Sequence, residues 1–345
     1  MKQILPLTLI VLMLAGNLSL NAQQDINFSQ FYELPLLRNP ALAGIFNGNV
    51  RFTGAYRNQW ESVTTPYRTM ALGAEAKFFK GLKPGDFLTA CGQLTNAVAG
   101  DANLKRTQFL PIVNYHKLLS EEKNTYLSLA FMGGTVSESF DASRLKFDDQ
   151  FVNGAYSSSN PTSQSFSTTG FQYWDASTGI SFKSLINNNV KFYLGAALFH
   201  ITKPKLTFMH DNEVRLNQKY AFNLGFSAYT NTYDRVVFYA DHSRQGGNRV
   251  SQGGFLYIHN FDTDGDNARF SVSGGAAYRV KDALIPVVRL TANKVTMGFS
   301  YDVNISKLKT ASMYRGGFEF TISYSDLWSK RNADAEKVEC PVNIW

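Results

Sequence analysis

The chain has 345 residues, a net charge of +7 and a slightly polar mean hydropathy of −0.20. This balance argues against a bundle of transmembrane helices, and the scattered basic residues argue against binding of nucleic acid. Aromatic residues make up 14% of the chain, which suits the core of a β-sandwich or the aromatic girdles of a membrane β-barrel.

The first 22 residues have the features of a secretory signal peptide. A basic start at Lys2 precedes an apolar stretch from Ile4 to Leu14, and small and polar residues then lead to Ala22. The apolar stretch is too short to cross a membrane as a helix. We therefore expect export from the cytoplasm and cleavage after Ala22, which removes residues 1–22.

The next segment, residues 23–48, is rich in apolar residues but has no strand periodicity. Pro35 and Pro40 interrupt any long helix or hydrogen-bonded ladder. A segment with this many apolar side chains has to bury them. We expect it to form a plug inside a barrel or a cap over the mouth of the barrel.

From Asn49 onwards, apolar and polar residues alternate with the period of a β-strand. The clearest runs are 294–305 and 314–324, and the second ends on the aromatic Tyr324. Each run has about 11 residues, the length a tilted strand needs to cross a membrane. We predict an all-β transmembrane outer-membrane barrel of about 14 antiparallel strands over residues 49–324.

The predicted strands cover roughly the following residues: 49–58, 69–78, 86–98, 106–118, 124–138, 171–184, 188–202, 219–228, 235–244, 249–260, 268–280, 284–293, 294–305 and 314–324. If the first strand rises from the periplasm, the two longest connections, 139–170 and 203–216, fall outside the cell, as is typical of such barrels. Residues 325–345 then form a periplasmic tail beside the N-terminus. This tail is either a segment that binds a partner or a disordered end.

No run of residues predicts catalysis or metal binding. In 241–243 an acid, a histidine and a serine are neighbours, but adjacent residues of a strand point to opposite faces. Residues 262–266 resemble the start of a calcium loop, but Asn267 and Ser273 stand where an EF-hand needs Gly and Glu. The histidines are dispersed. We predict no enzyme activity, no catalytic residue, no metal and no cofactor.

Three motifs, in this order, resemble the PorP/SprF family of outer-membrane proteins associated with the type IX secretion system of Bacteroidota. They are Asp25-Ile26-Asn27-Phe28-Ser29-Gln30-Phe31-Tyr32, Asn39-Pro40-Ala41-Leu42-Ala43-Gly44 and Tyr56-Arg57-Asn58-Gln59-Trp60. A late Cys340-Pro341 is similar to a tail motif of the family, although the ending from Val342 to Trp345 differs from the short ending we would expect. Cys340 could pair with Cys91 only if the tail folded back into the barrel.

The resemblance implies a barrel similar to the long-chain fatty-acid transporters, in which an Asn-Pro-Ala segment belongs to an N-terminal plug. The plug motif of this chain is then formed by Phe28, Ser29, Gln30, Asn39, Pro40 and Ala41. The strand-one rim motif is formed by Tyr56, Arg57, Asn58, Gln59 and Trp60. These five residues would fix the plug, frame the outer rim or simply serve barrel folding. Polar wall residues Lys294, Asp302, Arg315 and Glu319 would face the plug.

The resemblance also implies partners and a non-enzymatic role in the outer membrane. The expected partners are a secreted adhesin with a type IX sorting domain, other secretion components in the outer membrane or periplasm, and outer-membrane lipid. Such proteins are thought to assist export or surface attachment of adhesins, often in gliding motility, and some contact the periplasmic ring of the machine instead.

Two hypotheses of function follow. In the first, a plugged barrel binds a secreted protein through its external loops. The candidate partner-binding loop is 139–170, with the aromatic residues Phe166, Phe171, Tyr173 and Trp174 near its return. In the second, the barrel transports an apolar small molecule, which rests on analogy with fatty-acid transporters alone.

Overall fold

The computed structural model describes residues 25–78, 83–187, 189–206, 208, 214–262 and 269–326. Within them, fourteen antiparallel strands form a closed barrel, which confirms the predicted fold. The strands are β1 Val50–Gln59, β2 Tyr67–Phe78, β3 Phe87–Ala99, β4 Leu104–Ser120, β5 Thr125–Ser139, β6 Gly170–Asn187, β7 Val190–Phe199, β8 Lys219–Tyr229, β9 Asp234–Gln245, β10 Asn248–Asn260, β11 Phe270–Arg279, β12 Ala283–Ala292, β13 Val295–Asn304 and β14 Arg315–Asp326.

Each strand pairs with its neighbours in sequence, and the first strand pairs with the last. The closing ladder of β1 with β14 runs from Val50 opposite Asp326 to Gln59 opposite Gly317. Closure satisfies the backbone donors and acceptors on both sides of each strand, which a sheet in lipid requires. None of the helices in the described part of the chain is long and apolar enough to cross a membrane.

The alternation along each strand separates a lipid-facing surface from a lumen-facing surface. On β2, for example, Met70 and Leu72 are exposed on the outside, whereas Thr69, Glu75 and Lys77 are buried on the inside. Apolar side chains on the outside match the hydrocarbon region of a membrane. Polar side chains therefore face the lumen, where they need partners from within the protein.

The connections differ in length at the two ends of the barrel. One end, the turn rim, carries short connections such as 121–124, 230–233 and 293–294. The other end, the loop rim, carries the long connections 140–169, 200–218 and 305–314. The connection 140–169, the external loop, contains two 3₁₀ turns and a small hairpin in which Phe151–Val152 pairs with Ala155–Tyr156.

The barrel lumen is occupied by the chain itself, by residues 25–49, which we name the lumenal segment. It contains 3₁₀ turns at Phe31–Glu33 and Pro40–Leu42 and a single α-helical turn, α1, at Pro35–Arg38. Both prolines stand at the first position of their turn, where the missing N–H costs no hydrogen bond. The prolines that prevent a long helix thus start short ones.

The lumenal segment runs from the loop rim to the turn rim. At its start, Asp25 lies beside Lys219, which begins β8 at the loop rim. At its end, Asn49 donates its N–H to the carbonyl of Asp326 at the turn rim, at 2.8 Å. We expected the N-terminus to lie beside the C-terminal tail. Instead Asp25 lies at the opposite rim, because the segment crosses the lumen before β1 begins.

The hydrophobic core lies between the lumenal segment and the inner face of the barrel. One cluster packs Phe31, Tyr32, Leu42 and Ile45 of the segment against buried wall residues including Tyr239. Two further clusters involve Leu36, Ala41 and Ala43, and Ile26, Phe28 and Leu34. Burial of a large apolar side chain contributes about 1.5–3 kcal/mol, so the irregular apolar residues of the segment stabilise the inside of the barrel.

Candidate functional site

The plug motif makes its first contact with β14. The consecutive backbone N–H groups of Ser29 and Gln30 donate to the two carboxylate oxygens of Glu319, each at 2.7 Å. The side-chain amide of Gln30 donates to the Glu319 carbonyl at 3.2 Å and accepts from the Thr321 hydroxyl at 2.9 Å. Ser29, Gln30 and Glu319 are all buried. The hydrogen bonds to the charged carboxylate are of the stronger class.

A buried ion network extends this contact to three other strands. The Arg57 guanidinium lies 2.5 Å from Asp302 and 3.7 Å from Glu319, and it donates to the carbonyl of Asn27. Arg279 donates to Asp302 at 2.8 Å and to the Ser29 hydroxyl at 2.9 Å. Removal of one member of such a buried set leaves an uncompensated charge, which is strongly destabilising.

Within the rim motif, therefore, it is Arg57 that fastens the lumenal segment. Tyr56 faces outward and packs against Phe318, with ring centroids 6.0 Å apart. Asn58 donates its side-chain amide to Glu61 at 2.9 Å. Trp60 follows the strand, is half-buried and has a positive φ of 65°. Gln59 is the last residue of β1.

The Asn39-Pro40-Ala41 part of the plug motif docks on β6 and β7. The Asn39 side chain caps its own 3₁₀ turn by accepting from the N–H of Ala41 at 2.9 Å. The same side chain donates to the carbonyls of Ile180 and Ala196, at 3.1 and 3.2 Å. Asn39 thus connects the segment to two wall strands at once.

This docking depends on glycines in the wall. A Cβ at Gly179 would lie 2.0 Å from Oδ1 of Asn39, and one at Gly195 would lie 2.6 Å from Nδ2. Neither distance is tolerable. On the far side of Ala41, its carbonyl accepts from Asn114 at 3.0 Å and from Ser181 at 2.8 Å. The wall therefore leaves space for the Asn39-Pro40-Ala41 motif and offers it hydrogen-bond donors.

Two further lumenal ion pairs involve residues that the sequence motifs did not single out. Arg38 forms a two-pronged contact with Asp241, at 2.7 and 2.6 Å, and also donates to the Tyr193 hydroxyl at 2.7 Å. Glu75 accepts from the N–H of Gly44 at 2.8 Å and from Arg51 at 2.7 Å. The alternation of β9 does place Asp241 inside the barrel, but it gives no indication of the partner.

The four aromatic residues of the candidate partner-binding loop do not share one surface. Phe166 packs against Phe140, with ring centroids 5.0 Å apart, and Phe171 joins the same cluster through Phe208 of the connection 200–218, which packs against both Phe171 and Phe140. Tyr173 points into the lumen and donates to Glu138 at 3.1 Å, whereas Trp174 faces lipid and is 70% exposed. The last two diverge because neighbours on a strand point to opposite faces.

Some predictions concern residues outside the described part of the chain: the signal peptide at 1–22, the Cys340-Pro341 tail motif and the centre of the calcium-like run. Lys294 and Arg315, which we expected in the lumen, are exposed at the two rims. Among the described residues, no group of three His, Cys, Asp or Glu side chains could hold a metal ion. Cys91 is a half-buried free thiol.

The sequence matches the family described as "Type IX secretion system membrane protein PorP/SprF" over residues 20–324. The chain belongs to this family. The match confirms the resemblance of the motifs and makes the protein a membrane component of type IX secretion. Together with the lipid-facing barrel, it places this PorP/SprF protein in the outer membrane.

Several solved barrels are similar to this PorP/SprF protein at low identity. The toluene transporter TbuX of Ralstonia pickettii is 10% identical, and the alignment covers 85% of this chain and 92% of the transporter chain, with a TM-score of 0.49. A Pseudomonas aeruginosa FadL homologue is 8% identical, with coverages of 83% and 92% and a TM-score of 0.47. BamA of Haemophilus ducreyi is 11% identical, with coverages of 81% and 70% and a TM-score of 0.42. No curated protein matches the chain.

Proposed function

We propose that this PorP/SprF protein holds a secreted adhesin at the cell surface and that this adhesin serves gliding motility. The adhesin carries a C-terminal type IX sorting domain. The observation that supports this role is the occupation of the lumen by the protein's own residues 25–49. A barrel filled in this way acts through its rims, where the chain presents its longest connections.

The contacts of the lumenal segment favour this role over transport of a small molecule. Buried charges fasten the segment at Ser29, Arg38 and Gly44, against three different parts of the wall. Two cavities beside it have volumes of about 50 and 40 Å³. Ligand sites usually measure about 300–1,000 Å³, so these spaces suit a few water molecules and give transport little support.

The external loop is the proposed contact surface for the adhesin. Its interior is fixed by Asp149, which accepts from the N–H of Ser163 at 2.6 Å, and by Asn160, which donates to the Gln150 carbonyl at 2.9 Å. Its hairpin presents Phe151 and Val152, which are 54% and 50% exposed. An exposed aromatic residue on a fixed loop above a rigid barrel is a common form of binding anchor.

Shortening the external loop tests this proposal. Replacement of residues 145–165 by a short Gly-Ser linker should release the adhesin into the medium and lower its surface display about tenfold or more, since one lost anchor residue often costs this much. The matched control shortens the 305–314 connection at the same rim. Both variants should keep the heat-modifiable mobility of a folded barrel. Unchanged display after the first deletion would exclude the loop as the contact.

Purification from native membranes identifies the partner itself. The proposal expects the full-length protein to carry a secreted adhesin with a type IX sorting domain, and expects the Phe151→Ser/Val152→Ser variant to lose it. Recovery of periplasmic ring components instead, with no adhesin, would make the protein a part of the machine and would overturn the assignment as cargo anchor.

A further inference from the structure

A basic cleft lies on the lipid-facing side of the barrel, next to the loop rim. It has a volume of about 530 Å³ and lies between the connection 200–218 and strands β8 and β9. Its lining includes the basic residues Lys203 and Arg244, with His242 beside them, and the aromatic residues Tyr220 and Phe222. This volume falls within the usual range for ligand sites.

The register of the strands shows that the cleft faces lipid rather than the lumen. Tyr220 stands opposite Arg244, and Phe222 stands opposite His242. All four are exposed on the outer face, as are the next residues of that face on β8, Leu224 and Phe226. The cleft therefore lies where the apolar surface meets the external loops, at the level of the lipid headgroups of the outer leaflet.

Positive charge is concentrated beside this cleft, where Arg244 belongs to the lining and Arg249 adjoins it on the next strand. Arg244 of β9 stands directly opposite Arg249 of β10, and both are exposed. Like charges at directly opposite positions, with Cβ atoms about 5 Å apart, destabilise a sheet. Among the described residues, no carboxylate forms a salt bridge with Lys203, Arg244 or Arg249. A bound anion would therefore offset the repulsion between the two facing arginines.

We propose that this cleft binds the phosphorylated headgroup of an outer-leaflet glycolipid of the lipid A type. Guanidinium groups bind phosphate oxygens in a two-pronged geometry that suits Arg244 and Arg249. Tyr220 supplies an aromatic ring at the interface. The apolar stripe through Phe222 and Leu224 accommodates the acyl chains below. A free phosphate ion would contact only the basic residues. A lipid would contact the apolar stripe as well, so the presence of the stripe favours a lipid over free phosphate.

Native mass spectrometry of the full-length barrel in detergent tests the proposal. The wild type should retain bisphosphorylated lipid A about tenfold more than the dephosphorylated lipid, the factor expected for loss of one good charge-assisted contact. The variant Arg244→Gln/Arg249→Gln should lose that preference, and Lys203→Gln alone should weaken it severalfold. Each variant is first checked for heat-modifiable mobility.

The matched control is Arg68→Gln/Lys105→Gln. These two exposed cations also face outward near the loop rim, on β2 and β4, and both stand opposite Val98 of β3. The control should retain the lipid as the wild type does. The proposal would be overturned if the Arg244/Arg249 variant retained the bisphosphorylated lipid as well as the wild type does, or if the wild type retained the dephosphorylated lipid equally well. It would also be overturned if the wild type retained no lipid A, or if inorganic phosphate displaced the lipid completely.

Discussion

The carboxylate of Glu319 joins two parts of the chain that are 290 positions apart in sequence, Ser29 and β14 itself. It accepts two backbone N–H groups and lies beside Arg57. Because all these groups are buried, their mutual compensation replaces the water that each has lost. Glu319 is thus the residue that we expect to contribute most to keeping the lumenal segment in place.

Glu319→Gln should destabilise the folded protein by about 3–5 kcal/mol, the usual cost of breaking a buried charge pair. The amide replaces one acceptor by an NH₂ group that faces a backbone donor, and it leaves Arg57 with less compensation. Urea unfolding in detergent measures the change. The control Glu121→Gln alters an exposed carboxylate at the turn rim and should have no effect; equal stability of the two variants would refute this role for Glu319.

Gly179→Val should displace the Asn39 side chain, because a Cβ at Gly179 already lies within 2.0 Å of it. We expect the amide protection of Asn39 and of residues 41–43 to fall, as measured by hydrogen exchange, while the strands stay protected. Gly274 is the matched control, since a Cβ there would meet nothing within 4 Å. Gly274→Val should leave hydrogen exchange of the lumenal segment unchanged. If Gly179→Val also left it unchanged, the docking of Asn39 would not depend on the absence of a side chain at Gly179.

The sequence could indicate the face of a residue but not its partner. Alternation correctly places Asp302 and Glu319 on the polar side of their strands. It fails for Lys294 and Arg315, since these residues lie at strand ends, where side chains reach water. Arg38 was missed entirely, because its contact with Asp241 depends on the depth at which an aperiodic segment sits in the lumen.

At the scale of the element, the external loop should respond to acid through Asp149. The backbone N–H of Ser163, with the hydroxyls of Thr162 and Ser163, holds the pKa of this carboxyl below its ordinary value. A carboxyl with a lowered folded-state pKa contributes stability that is present above the unfolded pKa of about 3.9 and is lost as pH falls through the folded value.

We therefore expect the amide protection factor of Ser163, corrected for intrinsic exchange, to be constant from pH 7 to about 5 and to fall below about pH 4. Asp149→Ala should remove this protection at every pH. Asp148→Ala, which alters the exposed neighbouring carboxylate, should keep both the protection and its pH dependence. Protection that persists in acid in the wild type would contradict the role of Asp149.

The strands were more predictable than the connections. The run predicted at 86–98 forms Phe87–Ala99, and the run predicted at 124–138 forms Thr125–Ser139. Alternation marks these elements because one face meets lipid and the other meets polar groups. It fails at ends such as that of β7, which stops at Phe199 rather than 202 because His200 adopts a positive φ of 58°. The short turns of the lumenal segment have no period to detect.

At the scale of the whole molecule, the two ends of the described chain lie at opposite rims. Asp25 donates its N–H to Gln245 at 3.0 Å, at the loop rim, whereas Asp326 lies at the turn rim. An epitope inserted directly before Asp25 should therefore be accessible to antibody on intact cells. The same epitope directly after Asp326 should be accessible only after permeabilisation. The reverse result would invert the orientation of the barrel.

The passage of residues 25–49 through the lumen also constrains the order of events during biogenesis. The segment is made first, and the ladder between β1 and β14 that encloses it joins the two ends of the barrel sequence. Contacts this distant in sequence form slowly, because a long loop of chain has to close before they stabilise anything. Strands can therefore be added one hairpin at a time around a segment already in place. A permuted chain that delivered the same residues after β14 would have to thread them into a cylinder that had already closed.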